Sequence, residues 1–426
     1  MNYNQTLNYI HGRPRSIAAA PTLARIRDLM SRLGNPQNSL KYVHIAGTNG
    51  KGSVAAMTAS VLRAAGYRAG MFTSPYLEDF RERIQINGQM ISQADLCAVT
   101  EKVKAAEDAR NEEGLDPVNE FELVTAAAFE YFAAQGCDIV VLETGLGGRF
   151  DPTNIIEAPE AAVITHIAKD HTAILGSDLV TIAGEKAGII KGGSAVVVSP
   201  NDEEVKEVLV SACIAAGAGY DVVSLDEPDN CTVSADGFAF THKGLTICCP
   251  LLGHHQLANG LTAYAALKAL SRRGFEISDE AMVQGFASAV WPGRMELMNK
   301  APIVLLDAAH NPDGAAALAD ALDTLFPGKE IVAVMGMMAD KDWKTCIDIL
   351  APKCKTIIAS SSEMERSLNP ENLVQYASRY CSCIAGKDLE NAIKTGFDAV
   401  PDDGLLLVCG SVIMAGQARG IIKKLI

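Results

Sequence analysis

The chain has no long hydrophobic run and no concentration of basic residues, and each absence excludes a class of protein. None of its apolar runs reaches the roughly 18 residues needed to span a bilayer, and the polar stretch 1–15 does not have the form of a secretory signal. Lysine and arginine number 37 against 51 acidic residues, giving a formal net charge of −14. We therefore expect a cytoplasmic protein, with neither nucleic acid nor a membrane as its partner.

Regularly spaced cysteines are also missing. The eleven cysteines are scattered, and the close groupings 248–249 and 381–383 lack the spacing of a zinc ribbon. Several others lie in apolar segments, where a free thiol behaves as a small hydrophobe. No repeat, low-complexity segment or heptad pattern is present. We therefore expect no structural metal or disulfide in a chain whose 426 residues allow two or three domains.

What the chain does have is alternation of apolar strand-like segments and helical patterns, which predicts parallel sheets with helices on both faces. The predicted strands are 42–46, 68–72, 139–143, 162–167, 195–198, 303–306, 331–335, 356–359 and 405–409. The predicted helices include 54–65, 92–111, 120–135, 179–188, 202–216 and 256–271, and a β-meander is predicted over 231–251.

Proline and glycine at 292–293 interrupt this pattern, so we place a domain boundary just after them. The sequence predicts an α/β protein with two domains. Residues 1–296 form a doubly wound sheet with a phosphate loop, and residues 297–426 form a smaller Rossmann-like α/β domain.

The most informative segment is Gly-Thr-Asn-Gly-Lys-Gly-Ser at 47–53, between an apolar strand and an alanine-rich helix. Backbone N–H groups of such a turn and the following helix N-terminus bind anions, Lys51 can neutralise phosphate, and Ser53 can hold Mg²⁺. The spacing differs from the common P-loop, which has four residues between its glycines. A turn that serves packing alone is the alternative. The positions of lysine and serine favour a site for ATP.

Polar residues follow several other predicted strands. Ser74 follows the strand 68–72, Glu143 ends the strand 139–143, and His171 follows the strand 162–167. Carboxyl ends of parallel strands are where ligands bind, and an acid beside a phosphate loop commonly holds Mg²⁺. Two of these have a structural alternative: Glu143 could be a solvated strand end, and His171 could be a satisfied structural histidine. Lys186, on a predicted helix of small residues, is a further candidate whose alternative is an ordinary surface lysine. Asp307, after the first strand of the second domain, is a candidate for binding the adenosine, with a helix-capping role as its alternative.

These segments together resemble the folylpolyglutamate synthase and dihydrofolate synthase family of the Mur ligase superfamily. The resemblance runs from residue 7 to residue 411 and rests on the phosphate loop and on motifs at 73–75, 80–84, 121–125, 143–154, 170–176, 185–191 and 307–312. Two departures are Tyr76, where many members have histidine, and Thr144, where valine is common.

The resemblance implies specific roles. ATP would be bound by Gly47, Thr48, Asn49, Gly50, Lys51, Gly52, Ser53, Asn259, Arg294, Asp307 and His310. Mg²⁺, expected as two ions, would be held by Ser53, Ser74, Glu143 and His171. Lys186 would carry a carbamate, and the catalytic set would be Lys51, Lys186, His171 and Arg83. Phe121, Asp151 and Tyr76 would bind the folate or pteroate.

The implied reaction is ATP-dependent addition of L-glutamate to the carboxylate of a folate, and also of dihydropteroate, through an acyl phosphate. We expect a monomer acting on these small molecules. The alternatives are folylpolyglutamate synthase activity alone, another Mur or cyanophycin-type ligase, and a nucleotide-dependent switch. The paired Phe121 and Glu122 and the short segment ahead of residue 40 disfavour the other ligases, and Asp307 and His310 in a second α/β domain disfavour the switch.

Overall fold

The computed structural model describes residues 1–14, 22–362 and 364–426. The strands are β1 (Tyr42–Ala46), β2 (Ala69–Phe72), β3 (Ile84–Ile86), β4 (Gln89–Met90), β5 (Ile139–Glu143), β6 (Ala161–Ile164), β7 (Ala195–Val198), β8 (Gly219–Val222), β9 (Asn230–Ser234), β10 (Gly237–His242), β11 (Leu245–Cys249), β12 (Glu296–Lys300), β13 (Ile303–Leu306), β14 (Ile331–Met335), β15 (Thr356–Ala359), β16 (Ser382–Ala385) and β17 (Leu405–Cys409).

The helices, in chain order, are α1 (Tyr3–His11), α2 (Ala24–Arg32), α3 (Lys51–Ala64), α4 (Gln93–Glu112), α5 (Glu120–Ala134), α6 (Thr172–Leu175), α7 (Leu179–Lys186), α8 (Glu203–Ala216), α9 (His254–Arg272), α10 (Asp279–Ala287), α11 (Pro312–Leu325), α12 (Trp343–Leu350), α13 (Pro370–Ala377), α14 (Leu389–Ala399) and α15 (Val412–Leu425). No helix in the described ranges is long and apolar enough to cross a membrane.

The first sheet is mostly parallel, as its apolar strands predict. Among the described residues eight strands join in the order β4-β3-β2-β5-β1-β6-β7-β8, and β3 pairs antiparallel with both of its neighbours, β2 and β4. The central strands β1 and β5 are buried along their whole length, which accounts for their continuous apolar sequence. The α/β prediction is confirmed, although β3, β4 and β8 were not predicted.

The predicted strand at 162–167 is too long. The structure ends β6 at Ile164, because the next residues leave the sheet and support the phosphate loop. The carbonyl of His166 accepts the backbone N–H groups of Thr48 at 2.9 Å and Asn49 at 3.2 Å. A local apolar pattern does not reveal this use of the backbone.

The predicted β-meander is confirmed as the antiparallel sheet β11-β10-β9. It packs on the first domain through Phe238 and Phe240, which join the hydrophobic cluster formed by α3, α9 and α10. Phe238 lies against Gly260 of α9, where a β-carbon would come within 2.3 Å of the ring. Glycine therefore allows the meander to lie close to the helix.

A second mostly parallel sheet is formed by the C-terminal part of the chain. Its order within the described residues is β12-β13-β17-β14-β15-β16, parallel except for the edge strand β12. Sequence analysis did not predict β12, which begins at Glu296 and so spans the boundary expected between residues 296 and 297. The chain therefore enters the second sheet through an antiparallel hairpin.

Candidate functional site

The phosphate loop joins β1 to α3 and is held from behind by the segment after β6. Besides the two N–H groups bound by the His166 carbonyl, the Thr48 hydroxyl donates to the Ala168 carbonyl at 2.9 Å. Gly50 adopts a φ of 90° as the helix cap, and α3 begins at Lys51, three residues earlier than predicted. The loop thus presents the helix N-terminus, where anions bind favourably.

Two lysines converge on this loop. Lys186, at the end of α7, donates to the Gly47 carbonyl at 2.7 Å, and Lys51 donates to the same carbonyl at 3.1 Å and to that of Thr48 at 3.3 Å. Burial, reinforced by the nearby Lys51 charge, lowers the pKa of Lys186 to about 7. A site with two lysines in such proximity favours an anion.

Glu143 lies opposite them at the end of β5. Its side chain is buried, its Oε2 accepts the N–H of Ser74 at 3.1 Å, and its Oε1 is 3.9 Å from Lys51 Nζ. Burial raises the pKa of Glu143, and Lys51, the Ser74 N–H and Arg294 oppose that shift. The structure therefore brings together Lys51, Ser74 and Glu143, with the buried Ser53 in the first turn of α3.

His171 has different neighbours. It precedes α6 with a φ of 51°, and its Nε2 lies 3.8 Å from Asp170 Oδ2 and 3.4 Å from Lys341 Nζ. Burial lowers its pKa to about 4. Within the described ranges, no three His, Cys, Asp or Glu side chains form a group able to hold a metal. His171 and Glu143 are thus not part of a preformed cluster of that kind.

A cavity of about 620 Å³ opens beside the phosphate loop between the two sheets. Its lining includes the predicted ATP-binding residues Asn49, Gly50, Ser53, Asn259, Arg294, Asp307 and His310. Asp307 does not cap α11, since Asn311 does so. Its two oxygens accept the N–H groups of Met295 at 2.8 Å and Ala309 at 2.7 Å, which ties the domain junction to the loop after β13.

A second cavity, of about 610 Å³, shares His310 with the first. Its lining includes Ser74, Arg83, Phe121, Asp151 and His171. Phe121 sits directly over Gly145, where a β-carbon would be 2.5 Å from the ring. The glycine therefore allows the tip of the aromatic ring to lie close to the backbone of the loop after β5.

Arg83 and Tyr76 form a stacked pair at this cavity. The Arg83 guanidinium lies 5.3 Å from the Tyr76 ring centre and 5.5 Å from that of Phe80. Its Nε is buried without a hydrogen-bond partner among the described residues, and burial lowers its pKa. The described lining includes Arg83 but not Tyr76, so Tyr76 supports the arginine from behind.

Asp151 is buried at the base of the glycine loop. One oxygen accepts the N–H groups of Gly145 and Leu146, both at 2.9 Å, and the other accepts the Thr153 hydroxyl at 2.5 Å and the Thr153 N–H at 3.0 Å. Burial raises the pKa of Asp151, and these donors oppose the shift. The fully buried His44 on β1 contacts the Thr153 hydroxyl at 2.9 Å. Sequence analysis missed His44, which is hidden in an apolar strand.

Comparison with known proteins identifies the family. Residues 45–267 match the Mur ligase middle domain, and residues 293–412 match the domain described as Mur ligase, glutamate ligase domain. The chain is 35% identical to the dihydrofolate synthase/folylpolyglutamate synthase of Bacillus subtilis, with 99% of each chain covered. The chain belongs to the dihydrofolate synthase/folylpolyglutamate synthase family. It is an ATP-dependent ligase.

Two further relatives of this ligase support the assignment. The chain is 35% identical to the folylpolyglutamate synthase of Lacticaseibacillus casei, with 98% of each chain covered. The solved structure of Mycobacterium tuberculosis folylpolyglutamate synthase complexed with ADP superposes with a TM-score of 0.90 at 34% identity, again with 98% of each chain covered. The resemblance on which sequence analysis relied is therefore confirmed.

The ligase also has interdomain contacts that sequence analysis did not foresee. Asp170, after β6, accepts hydrogen bonds from Lys341 and Asn311 of the second domain and lies 3.4 Å from His310 Nε2. Although burial opposes it, the His310 and Lys341 contacts hold the Asp170 pKa well below its usual range. The position of Asp170 next to His171 could have marked it as a candidate site residue. Its partners could not be predicted, because they are 140 or more residues away in the sequence.

Proposed function

We propose that this ligase joins the carboxylate of a folate to the amino group of L-glutamate, with ATP as the phosphoryl donor. The observation that carries the proposal is the pair of cavities that share His310. The first cavity, of about 620 Å³, is lined in part by the phosphate loop. The second, of about 610 Å³, is lined in part by Phe121 and Arg83. A nucleotide in the first would face a carboxylate in the second.

The chemistry follows from the weakness of a carboxylate as an acyl donor. Transfer of the γ-phosphoryl group to a carboxylate oxygen gives an acyl phosphate, and attack by the glutamate amine then forms the amide and releases phosphate. Lys51 and Arg294 offset the charge that spreads over the phosphoryl oxygens. Arg83, a buried cation beside two rings, is suited to orient the substrate carboxylate. Closure of the two domains keeps water from the acyl phosphate.

The residues present suit Mg²⁺. The hydroxyls of Ser53 and Ser74 and the buried carboxylate of Glu143 are the hard oxygen donors that this ion prefers. Glu143 accepts a hydrogen bond from the Ser74 N–H, and the Lys51 ammonium lies 3.9 Å from its other oxygen. When bound, the ion neutralises phosphate charge. We assign His171 and a modified Lys186 to a second ion.

We infer that Lys186 carries a carbamate. Its neutral amine would attack the carbon of CO₂ and release a proton to solvent, which converts a cation into an anionic oxygen ligand. The burial of Lys186 beside Lys51 supports this, since the charged form is disfavoured there. With ¹³C-bicarbonate, the wild type should give a carbamate carbon resonance that Lys186→Arg lacks. An identical spectrum would refute it. Lys186→Ala should be weakly active and partly restored by acetate or formate.

The proposed function is tested by ADP formation. ADP should appear only when both glutamate and a reduced folate are present, together with a glutamylated product. A nucleotide switch would release ADP without them, and another Mur-type ligase would need a different carboxylate. We also propose that the protein is a cytoplasmic monomer, and size-exclusion chromatography measures the oligomeric state.

We further propose that dihydropteroate is also a substrate. Both acceptors end in a carboxylate attached to a p-aminobenzoyl unit or its glutamyl extension, and Phe121 and Asp151 both line the second cavity. The Bacillus subtilis relative is named for both activities and the Lacticaseibacillus casei relative for one. Dihydropteroate with ATP and glutamate should give dihydrofolate. If the protein forms polyglutamates from tetrahydrofolates but no dihydrofolate from dihydropteroate, it has folylpolyglutamate synthase activity only.

A further inference from the structure

Arg419 of α15 lies where the C-terminal domain meets two segments of the candidate site. Its Nε donates to both oxygens of Glu296 at 2.9 Å and its Nη2 donates to Glu296 at 2.8 Å. Its Nη1 donates to Glu78, which also accepts from Lys423 at 2.9 Å. The Arg419 side chain is 17% exposed, so this four-residue network is partly shielded from water and more persistent than an open surface pair.

Each glutamate belongs to a segment that carries candidate site residues. Glu78 lies in segment 74–83, which begins at Ser74 and ends at Arg83. The segment is internally stiff, because the carboxylate of Glu82 accepts the N–H groups of Leu77 at 2.7 Å and Glu78 at 3.0 Å. A displacement of Glu78, in the middle of the segment, therefore also moves Ser74 and Arg83 at its ends.

Glu296 belongs to the domain junction. One of its oxygens accepts the N–H of Gly293 at 2.9 Å, directly before Arg294. Arg294 lies in the lining of the cavity beside the phosphate loop. A single guanidinium thus holds the segment with Ser74 and Arg83 on one side and the segment with Arg294 on the other.

The helix also contacts the first segment through its backbone. A β-carbon at Gly416 would lie 1.8 Å from the Leu77 carbonyl oxygen, and one at Gly420 would lie 3.6 Å from Glu78 Oε1. The turn of α15 that precedes Arg419 is therefore seated on the loop with no intervening side chain. Movement of α15 away from the first domain would release segment 74–83.

We infer that Arg419 is a positioning residue through which closure of the C-terminal domain sets segment 74–83 and the junction together. The inference rests on the proposed ligase function. Without Arg419, the two segments no longer adopt their places at the same time, and water reaches the acyl phosphate. Hydrolysis then returns the carboxylate and phosphate, so ATP is consumed without amide formation.

The test uses the full chain with Arg419→Gln and Glu78→Gln. ADP and glutamylated product are measured in the same reaction. Arg379→Gln is the matched control, because Arg379 pairs with Asp348 within the C-terminal domain. The ADP-to-product ratio should be near one in the wild type and the control, and should rise several-fold, on the order of 3–10, in both test variants. Arg419→Lys keeps the positive charge and should restore part of the coupling. Restoration should be incomplete, because an ammonium lacks the planar guanidinium that can bind two glutamates at once.

Hydrogen exchange gives a readout that does not depend on product. Backbone amides in segment 74–83 should exchange faster in Arg419→Gln and Glu78→Gln than in Arg379→Gln. The Glu78 side chain is partly exposed, so Glu78→Gln should fold normally. The inference would be overturned if this variant had an unchanged ADP-to-product ratio and unchanged exchange in segment 74–83. Equal uncoupling in Arg379→Gln would also overturn it. A wild type that makes no product would instead refute the proposed function, and exchange would still decide the role of Arg419.

Discussion

The two domains share a doubly wound design but treat charge differently at the carboxyl ends of their strands. In the N-terminal domain, Glu143 and Lys186 are 3% and 4% exposed, and burial shifts the pKa of each toward the neutral form. Of the two Glu143 oxygens, only Oε2 accepts a backbone N–H from the described residues. In the C-terminal domain, Asp307 is also buried, yet each of its oxygens accepts a backbone N–H.

This difference separates two kinds of site. Buried charges that lack full compensation destabilise a fold, and they are commonly retained where a ligand or ion supplies the missing charge. A satisfied carboxylate instead fixes the backbone around it. We conclude that the N-terminal edge is built around ligand charge and the C-terminal edge is built to hold its loops in place.

The largest effect should come from Lys51→Ala. Removing this charge from the phosphoryl oxygens should lower ligase turnover by about 10²–10³ or more. The thermal midpoint should change little, because the loss of the nearby charge for Glu143 is offset by relief of repulsion of Lys186. Product formation and thermal unfolding measure the two effects. Near-normal turnover would mean that this loop does not bind the transferred phosphate.

Glu143→Gln should lower activity by about 10²-fold and move the Mg²⁺ titration to higher concentration, because an amide is a poorer ligand than a carboxylate. The free energy of unfolding without ligands should rise, since a buried carboxylate is removed. His171→Ala should also weaken the response to Mg²⁺. Titration curves that overlay the wild type in both variants would place the ion elsewhere.

Asp307→Asn should have the opposite effect on stability. Asparagine offers one acceptor oxygen, so the N–H of Met295 or Ala309 loses its partner, at a cost of about 1–3 kcal/mol. The KM for ATP should rise more than kcat falls, because the junction and the loop after β13 both line the cavity next to the phosphate loop. Urea unfolding compared with Glu143→Gln checks the contrast. A gain in stability in both variants would contradict it.

The smallest effect concerns pH. His166 of the N-terminal domain pairs with Asp313 of α11 at 3.1 Å, and this hydrogen bond raises the pKa of His166. A raised histidine pKa gives stability that is full below the unfolded value near 6.5 and is lost as pH rises through the folded value. His166→Asn should therefore lose less stability than the wild type between pH 6 and pH 8.5. Parallel pH profiles in urea unfolding would show that the pair contributes nothing.

Local sequence patterns were enough to predict the elements whose own residues are distinctive. Strand β1 and the phosphate loop follow from continuous apolar residues and from glycine, lysine and serine at set positions. The resemblance supplied most other site residues, and Asn49, Ser53, Asn259, Arg294 and Asp307 do line one cavity. Their roles in binding stay predictions.

Other features could not be predicted, because they depend on contacts between distant parts of the chain. Strand β12 is a local exception, because it pairs with β13 in a hairpin but its polar residues Glu296, Asn299 and Lys300 give no apolar strand pattern. The partners of Asp170 are set by how the two domains meet. His44 has no unusual sequence context, and its contact with Thr153 depends on two segments about 110 residues apart.

One contact in the phosphate loop has an evolutionary consequence. A β-carbon at Gly52 would lie 2.4 Å from Cζ2 of Trp291, so the indole ring occupies the space of any larger side chain there. Trp291 in turn belongs to the junction between the domains. A larger residue at position 52 therefore requires that the indole ring move or that Trp291 be replaced, so we expect these two positions to change together in evolution.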